Sequence, residues 1–230
     1  MNLTDAEWQA LALSLQVAGI ATAVALPLAY LAAWTLARVR FPGKSIAKAL
    51  IQLPLVLPPV VVGYLLLTLF GRDGALGAPL GAFGITVPFT TLAAGIAAGV
   101  MAFPLIVRAC RLSIEALDPK LEDAARIHGA SRWRVFLTLS LPLSLPGLLA
   151  GATLGFARGF GEFGATIVFA ANIPGETRTL PIAIYSALQS PTGDEAAARL
   201  VTISVIVAVA AFILSEWLER RTRARLSGRR

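Results

Sequence analysis

Two charges stand inside a stretch that otherwise has none. Arg158 and Glu162 lie near the middle of the apolar run Gly147–Ala170, and a spacing of four residues lets them pair along one helix face. Charge inside hydrocarbon is expensive and usually faces a bundle interior or a cavity. The pair is therefore either a structural ion pair or the border of a path taken by a charged cargo. Pro58 and Pro59 raise the same question in another apolar run, 49–71, whose first half also carries Pro54. Prolines free backbone carbonyls, which membrane depth tolerates only against protein or a wet cavity. The run is either a broken helix lining a path or a kinked helix end. Other chemistry is poorly supplied. His128 is the sole His and Cys110 the sole Cys, so the sequence offers no disulfide, no Cys/His metal cluster and no paired nucleophile and base. It predicts neither an enzyme nor a metal site.

The second unusual interval is Glu115–Pro142. Six basic and four acidic residues fall between Arg108 and Arg134, which keeps this segment in water. Asp118 can cap a helix whose first turn holds Pro119, and the run Leu121–His128 follows. Gly129 breaks it. Ser131 can cap a second run, Trp133–Leu139, which Pro142 should stop. Two short helices at an angle, with Ala124 and Ala125 giving the first a low surface, make a compact knob suited to docking into another protein.

The elements that carry these residues follow from composition. Of 230 residues 57% are hydrophobic and 14% charged, with mean hydropathy +0.74, which excludes an ordinary soluble domain. The expected fold is an all-α polytopic helical bundle, one transmembrane domain over 1–230, with the knob loop at 115–142. The expected spans are Leu11–Ala37, 49–71, Thr86–Val107, Gly147–Ala170 and Leu200–Ser215. Segment 163–190, which includes a short helix Pro181–Gln189, is a possible sixth element. Residues 71–88, rich in Gly and Pro, read as an outer loop. Gly147, Gly151, Gly155 and Gly159 recur every four residues, a ridge that lets another helix approach closely.

Basic residues set the orientation. Arg38, Arg40, Lys44 and Lys48 form one cluster, the knob interval a second, and the six arginines from Arg220 to Arg230 a third. All three should face the cytoplasm, with the N-terminus outside and the C-terminus inside. The +7 charge thus reports topology and a lipid environment, not nucleic acid. The run Pro42-Gly43-Lys44-Ser45 is no phosphate-binding loop, because that motif requires Gly where Arg38 stands.

Asp123-Ala124-Ala125, three residues, Gly129, nine residues, Leu139, one residue, Leu141-Pro142 resembles the EAA loop of ABC importer permeases. The family pattern has Glu and Ile where this sequence has Asp123 and Leu139; Glu122 sits beside the first. The resemblance implies a type I importer permease whose loop, here Glu122, Asp123, Ala124, Ala125, Gly129, Ala130, Arg132, Leu139 and Pro142, docks into a separate ATPase subunit that holds the ATP and Mg. No cofactor is implied in this chain. From Gly161-Glu162-Phe163-Gly164-Ala165-Thr166 through Asn172-Ile173-Pro174-Gly175-Glu176-Thr177-Arg178 the sequence is similar to molybdate importer permeases. That implies a homodimer in a bacterial inner membrane, served by a periplasmic molybdate-binding protein, with tungstate also accepted. Sulfate and thiosulfate permeases resemble it next. An ion-coupled secondary transporter would need titratable groups in the membrane, where Glu162 is the one strong candidate, and often internal repeats, of which there are none.

Overall fold

The computed structural model describes residues 3–226 and is helical throughout, with no strand among them. Arg229 and Arg230 of the basic tail lie outside the described residues. Among the described residues four stretches are long and apolar enough to cross a membrane: Asp5–Arg38, Thr91–Glu115, Arg132–Phe160 and Asp194–Thr222. A fifth exists if the helices Lys44–Val56 and Pro59–Phe70, bent by 112° at the break between them, count as one. The bundle of about five spans is therefore present, but its helices begin and end elsewhere than apolarity alone places them.

The first helix, α1, runs Asp5–Arg38. It starts two turns before Leu11 because Thr4 and Glu7 close a capping box: Thr4 Oγ1 accepts from the Glu7 N–H at 3.3 Å, and Glu7 Oε2 accepts from the Thr4 N–H at 2.8 Å. Pro27 lies within it without ending it. The run 49–71 is two helices, α2 (Lys44–Val56) and α3 (Pro59–Phe70), broken at Leu57-Pro58 as an X-Pro pair favours. The segment 71–88 contains a short α4 (Gly77–Ala82). Helix α5 (Thr91–Glu115) is capped by Thr90, whose Oγ1 accepts from the Ala93 N–H at 3.2 Å, and continues two turns past Val107. Its charged end, with an Arg111–Glu115 ion pair at 3.6 Å, projects beyond the apolar zone.

Helices α6 (Pro119–Ile127) and α7 (Arg132–Val135) form the knob. Pro142 does not stop the second run. One π turn, Phe136–Ser140, leads directly into α8 (Leu141–Phe160), where Pro142 occupies the first turn and needs no N–H partner. The expected span Gly147–Ala170 ends early, at Phe160, and a separate α9 (Gly164–Phe169) follows. With α10 (Leu180–Leu188), α9 makes segment 163–190 a pair of short helices of six and nine residues, too short to cross a bilayer. The last helix, α11 (Asp194–Leu226), extends well beyond Leu200–Ser215 at both ends.

Small residues hold the centre. Ala18, Ala21, Ala25, Ala29 and Ala33 of α1 are buried, as are Ala94, Ala97, Ala98 and Ala102 of α5. The four glycines of α8 pack against these two helices, and their need for hydrogen differs. A methyl at Gly147 would run into Ser113 Cβ, which is fixed to its own backbone. One at Gly155 would lie 2.7 Å from Ile106 Cδ1, one at Gly151 3.3 Å from Ile106 Cγ2, and one at Gly159 3.6 Å from Ala18 Cα. Gly147→Ala should cost about 1–3 kcal/mol, as overpacking does. Gly159→Ala should stay within about 0.5 kcal/mol of wild type. Thermal unfolding of both variants in one detergent measures the difference.

Candidate functional site

The knob is built from caps at both ends of α6. Asp118 Oδ1 accepts from the Lys120 N–H at 3.0 Å beside Pro119 in the first turn. At the other end Gly129 has φ +86°, the left-handed conformation that glycine adopts without strain, and its N–H donates to Arg126 O at 2.9 Å. His128 Nδ1 donates to Ala124 O at 2.8 Å, an ordinary local bond. The chain then reverses, and Ser131 Oγ accepts from the Arg134 N–H at 3.3 Å to open α7.

The two acids of the knob face opposite ways. Asp123 is largely exposed and pairs with Arg126 at 3.6 Å. Glu122 is the buried residue of α6. Its Oε1 lies 3.2 Å from Arg38 Nη2 and accepts from Ser140 Oγ at 3.1 Å, while Oε2 is 3.7 Å from Arg126. Arg38 also donates to Leu117 O at 3.2 Å and lies 6.0 Å from the Trp34 ring centroid. Trp34 in turn meets Phe136 of the π turn edge-on at 5.1 Å. Arg38 and Ser140 were not among the sequence-derived candidates, since nothing local marks them as partners of Glu122.

Ala124, Gly129 and Arg132 are exposed, Ala125, Ala130 and Pro142 are half-buried, and Leu139 is half-buried on the π turn. Three exposed apolar side chains join this surface: Ile127, 84% exposed, Trp133, 68%, and Leu121, 48%. Large exposed apolar groups on a knob this rich in charge form a patch of the kind that protein contacts use. Their signal in the sequence is an apolar residue on the polar face of a short helix, readable only once the buried face is known.

The second locus is the break between α8 and α9. Arg158 is in the last turn of α8, and Glu162 lies just past its end. The two do pair, but across a helix terminus and not along one helix face. Glu162 is 2% exposed, and its Oε1 accepts from the Ala165 N–H at 2.7 Å, satisfying the start of α9. The carboxylate thus neutralises both the guanidinium and the positive end of α9. Pro59 comes to the same place: a methyl on Gly164 would lie 2.7 Å from Pro59 Cβ. Two broken helices, α3 and α9, therefore start against each other, with Pro59 and Glu162 close to the junction and Pro58 exposed beside it. Among the described residues no His, Cys, Asp or Glu cluster could hold a metal.

At the start of α1 Glu7 is buried, and its Oε1 lies 2.9 Å from Arg199 Nη2. The ion pair ties the start of α1 to α11, two elements at opposite ends of the sequence.

Residues 25–224 match the family model described as binding-protein-dependent transport system inner membrane component. The chain belongs to that family. The permease is 55% identical over 226 residues to the molybdenum transport system permease protein ModB of Escherichia coli (strain K12), covering 98% of this chain and 99% of that one. It is 38% identical over 184 residues to the sulfate transport system permease protein CysT of the same organism, covering 80% of this chain and 65% of that one. Its fold matches the crystal structure of a bacterial ABC transporter involved in the import of the acidic polysaccharide alginate. The TM-score is 0.77 at 16% identity, covering 95% of this chain and 80% of that one. The permease is thus a multi-pass inner-membrane transport subunit with the fold of ABC importer permeases.

Proposed function

We propose that the permease imports molybdate, and with it the nearly isosteric tungstate, as one of two identical membrane subunits served by separate ATPase subunits. The observation that carries the substrate is the identity to the molybdenum permease, 55% over nearly the whole of both chains, against 38% to a sulfate permease over part of each. A periplasmic binding protein delivers the anion to the outer face. The clusters of Lys and Arg put the N-terminus outside and the knob and C-terminus in the cytoplasm.

The knob at 119–139 carries the drive. Ala124, Ala125, Gly129, Ala130 and Arg132, with the exposed Asp123, Ile127 and Trp133, form the surface that enters the ATPase. Glu122, Leu139 and Pro142 root it. ATP and Mg belong to the partner: binding closes the ATPase dimer, the knobs move together, and the spans turn outward to accept the anion. Hydrolysis resets them. Pro58, Pro59, Arg158 and Glu162 border the path, where two broken helix starts meet and backbone polar groups are tolerable at membrane depth.

Cells deleted for this chain should accumulate far less molybdenum from trace molybdate, with sulfate uptake unchanged, and the wild-type chain should restore it. Loss of sulfate uptake instead would move the assignment to the sulfate relatives.

A further inference from the structure

Helix α6 of the knob buries no apolar side chain. Glu122 is the one buried residue on α6, and it is a carboxylate. Its three partners come from three elements: Arg38 from the last turn of α1, Ser140 from the π turn that opens into α8, and Arg126 from α6 itself. Arg38 is held in turn by Leu117 O and by Trp34, which is bracketed with Tyr30 against Phe136 at 5.1 and 6.2 Å. Tyr30 also exchanges a hydrogen bond with Ser144 of α8 at 2.7 Å. The end of α1, the base of the knob and the start of α8 therefore meet at one carboxylate. A π turn stands at that junction, and such turns are frequent at functional sites.

We infer that Arg38 and Glu122 are positioning residues that make the knob and the C-terminal end of α1 move as one body. A push on the knob then reaches α1 as well as α8. Without the ion pair, α6 would hang between the turns at Gly129 and Leu117, and motion of the ATPase would be taken up by the knob alone. The inference rests on the docking role proposed for 119–139.

The test uses the full complex of permease, ATPase and binding protein in liposomes. Glu122→Gln keeps the shape of the side chain and an acceptor for Ser140 but removes the charge; Arg38→Gln removes the other. Each should lower binding-protein-stimulated ATPase activity about tenfold, within the range that coupling between distant sites spans. The double variant should be no worse than either alone, because the two residues act as a unit. Arg38→Lys should retain most of the stimulation. The amount of ATPase subunit that co-purifies should be unchanged in all four, which a merely structural loss would not allow.

Spin labels at Val39→Cys and Lys120→Cys provide a second readout, in the otherwise wild-type chain. Their separation should stay fixed between the nucleotide-free and ATP-bound complexes and should broaden with Glu122→Gln. Full stimulation in Glu122→Gln, or a wild-type separation that changes on ATP binding, overturns the inference while leaving docking intact. Failure of the ATPase to co-purify with the wild-type permease overturns both.

Discussion

Gly129→Pro should abolish ATP-driven transport while the chain still inserts in the membrane at near wild-type abundance. Gly129 has φ +86°, and proline is held near about −65°, so the turn between α6 and α7 cannot form as it stands. The substitution also removes the N–H that donates to Arg126 O. Both changes fall in an exposed turn, and a methyl at this position would meet nothing within 4 Å, so the membrane-embedded core is untouched. The angle between the two knob helices, and with it the placing of Ile127 and Trp133, is lost. Gly129→Ala separates shape from side chain: it faces only the left-handed penalty of about 1–2 kcal/mol and should keep part of the activity. Transport in vesicles and co-purification of the ATPase measure the effect. Wild-type transport in Gly129→Pro would remove the docking role from this loop.

Arg158→Ala should be the most damaging single change inside the membrane. It leaves Glu162, 2% exposed, with the Ala165 N–H as partner and no cation. Breaking a buried pair by removing one member costs about 3–5 kcal/mol, and the partial exposure of Arg158 places the effect toward the lower end. The variant should accumulate poorly and unfold at lower temperature. Arg158→Gln combined with Glu162→Gln removes the lone charge, so abundance should recover. If the pair borders the path, transport in the double variant should stay below about a tenth of wild type, a loss of roughly 1.4 kcal/mol or more in the limiting step. Wild-type transport by the double variant would make the pair purely structural.

These two loci differ in how far they could be read from sequence. The knob was legible because its signals are local: Asp118 and Pro119 open a helix, Gly129 closes it, and Ser131 opens the next. The spans were legible as apolar runs, yet their ends were not. Apolarity stops where the charges begin, whereas a helix continues until a cap or a break stops it. Hence α5 runs on through Arg108 and Arg111 to Glu115, and α1 starts at a Thr4–Glu7 capping box that apolarity ignores. That box was readable as Thr-x-x-Glu. The break at Gly161 was not, because Glu162 looks like the next turn of one helix until its carboxylate is seen to cap another. Pro142 misled for the opposite reason: proline at a first turn starts a helix as readily as it ends one, and the π turn before it has no pattern in the sequence. The long-range pairs, Arg38 with Glu122 and Glu7 with Arg199, required the fold.

The proposed role of this permease is to transmit ATP-driven motion to the import of molybdate. Its most direct test is ATPase activity of the permease in liposomes with its ATPase and binding protein, compared across no anion, molybdate, tungstate and sulfate. The binding protein loaded with molybdate or tungstate should stimulate hydrolysis, and the protein offered sulfate should not. Stimulation by sulfate alone would contradict the substrate, and a fully assembled complex with no stimulation by any anion would contradict the coupling itself.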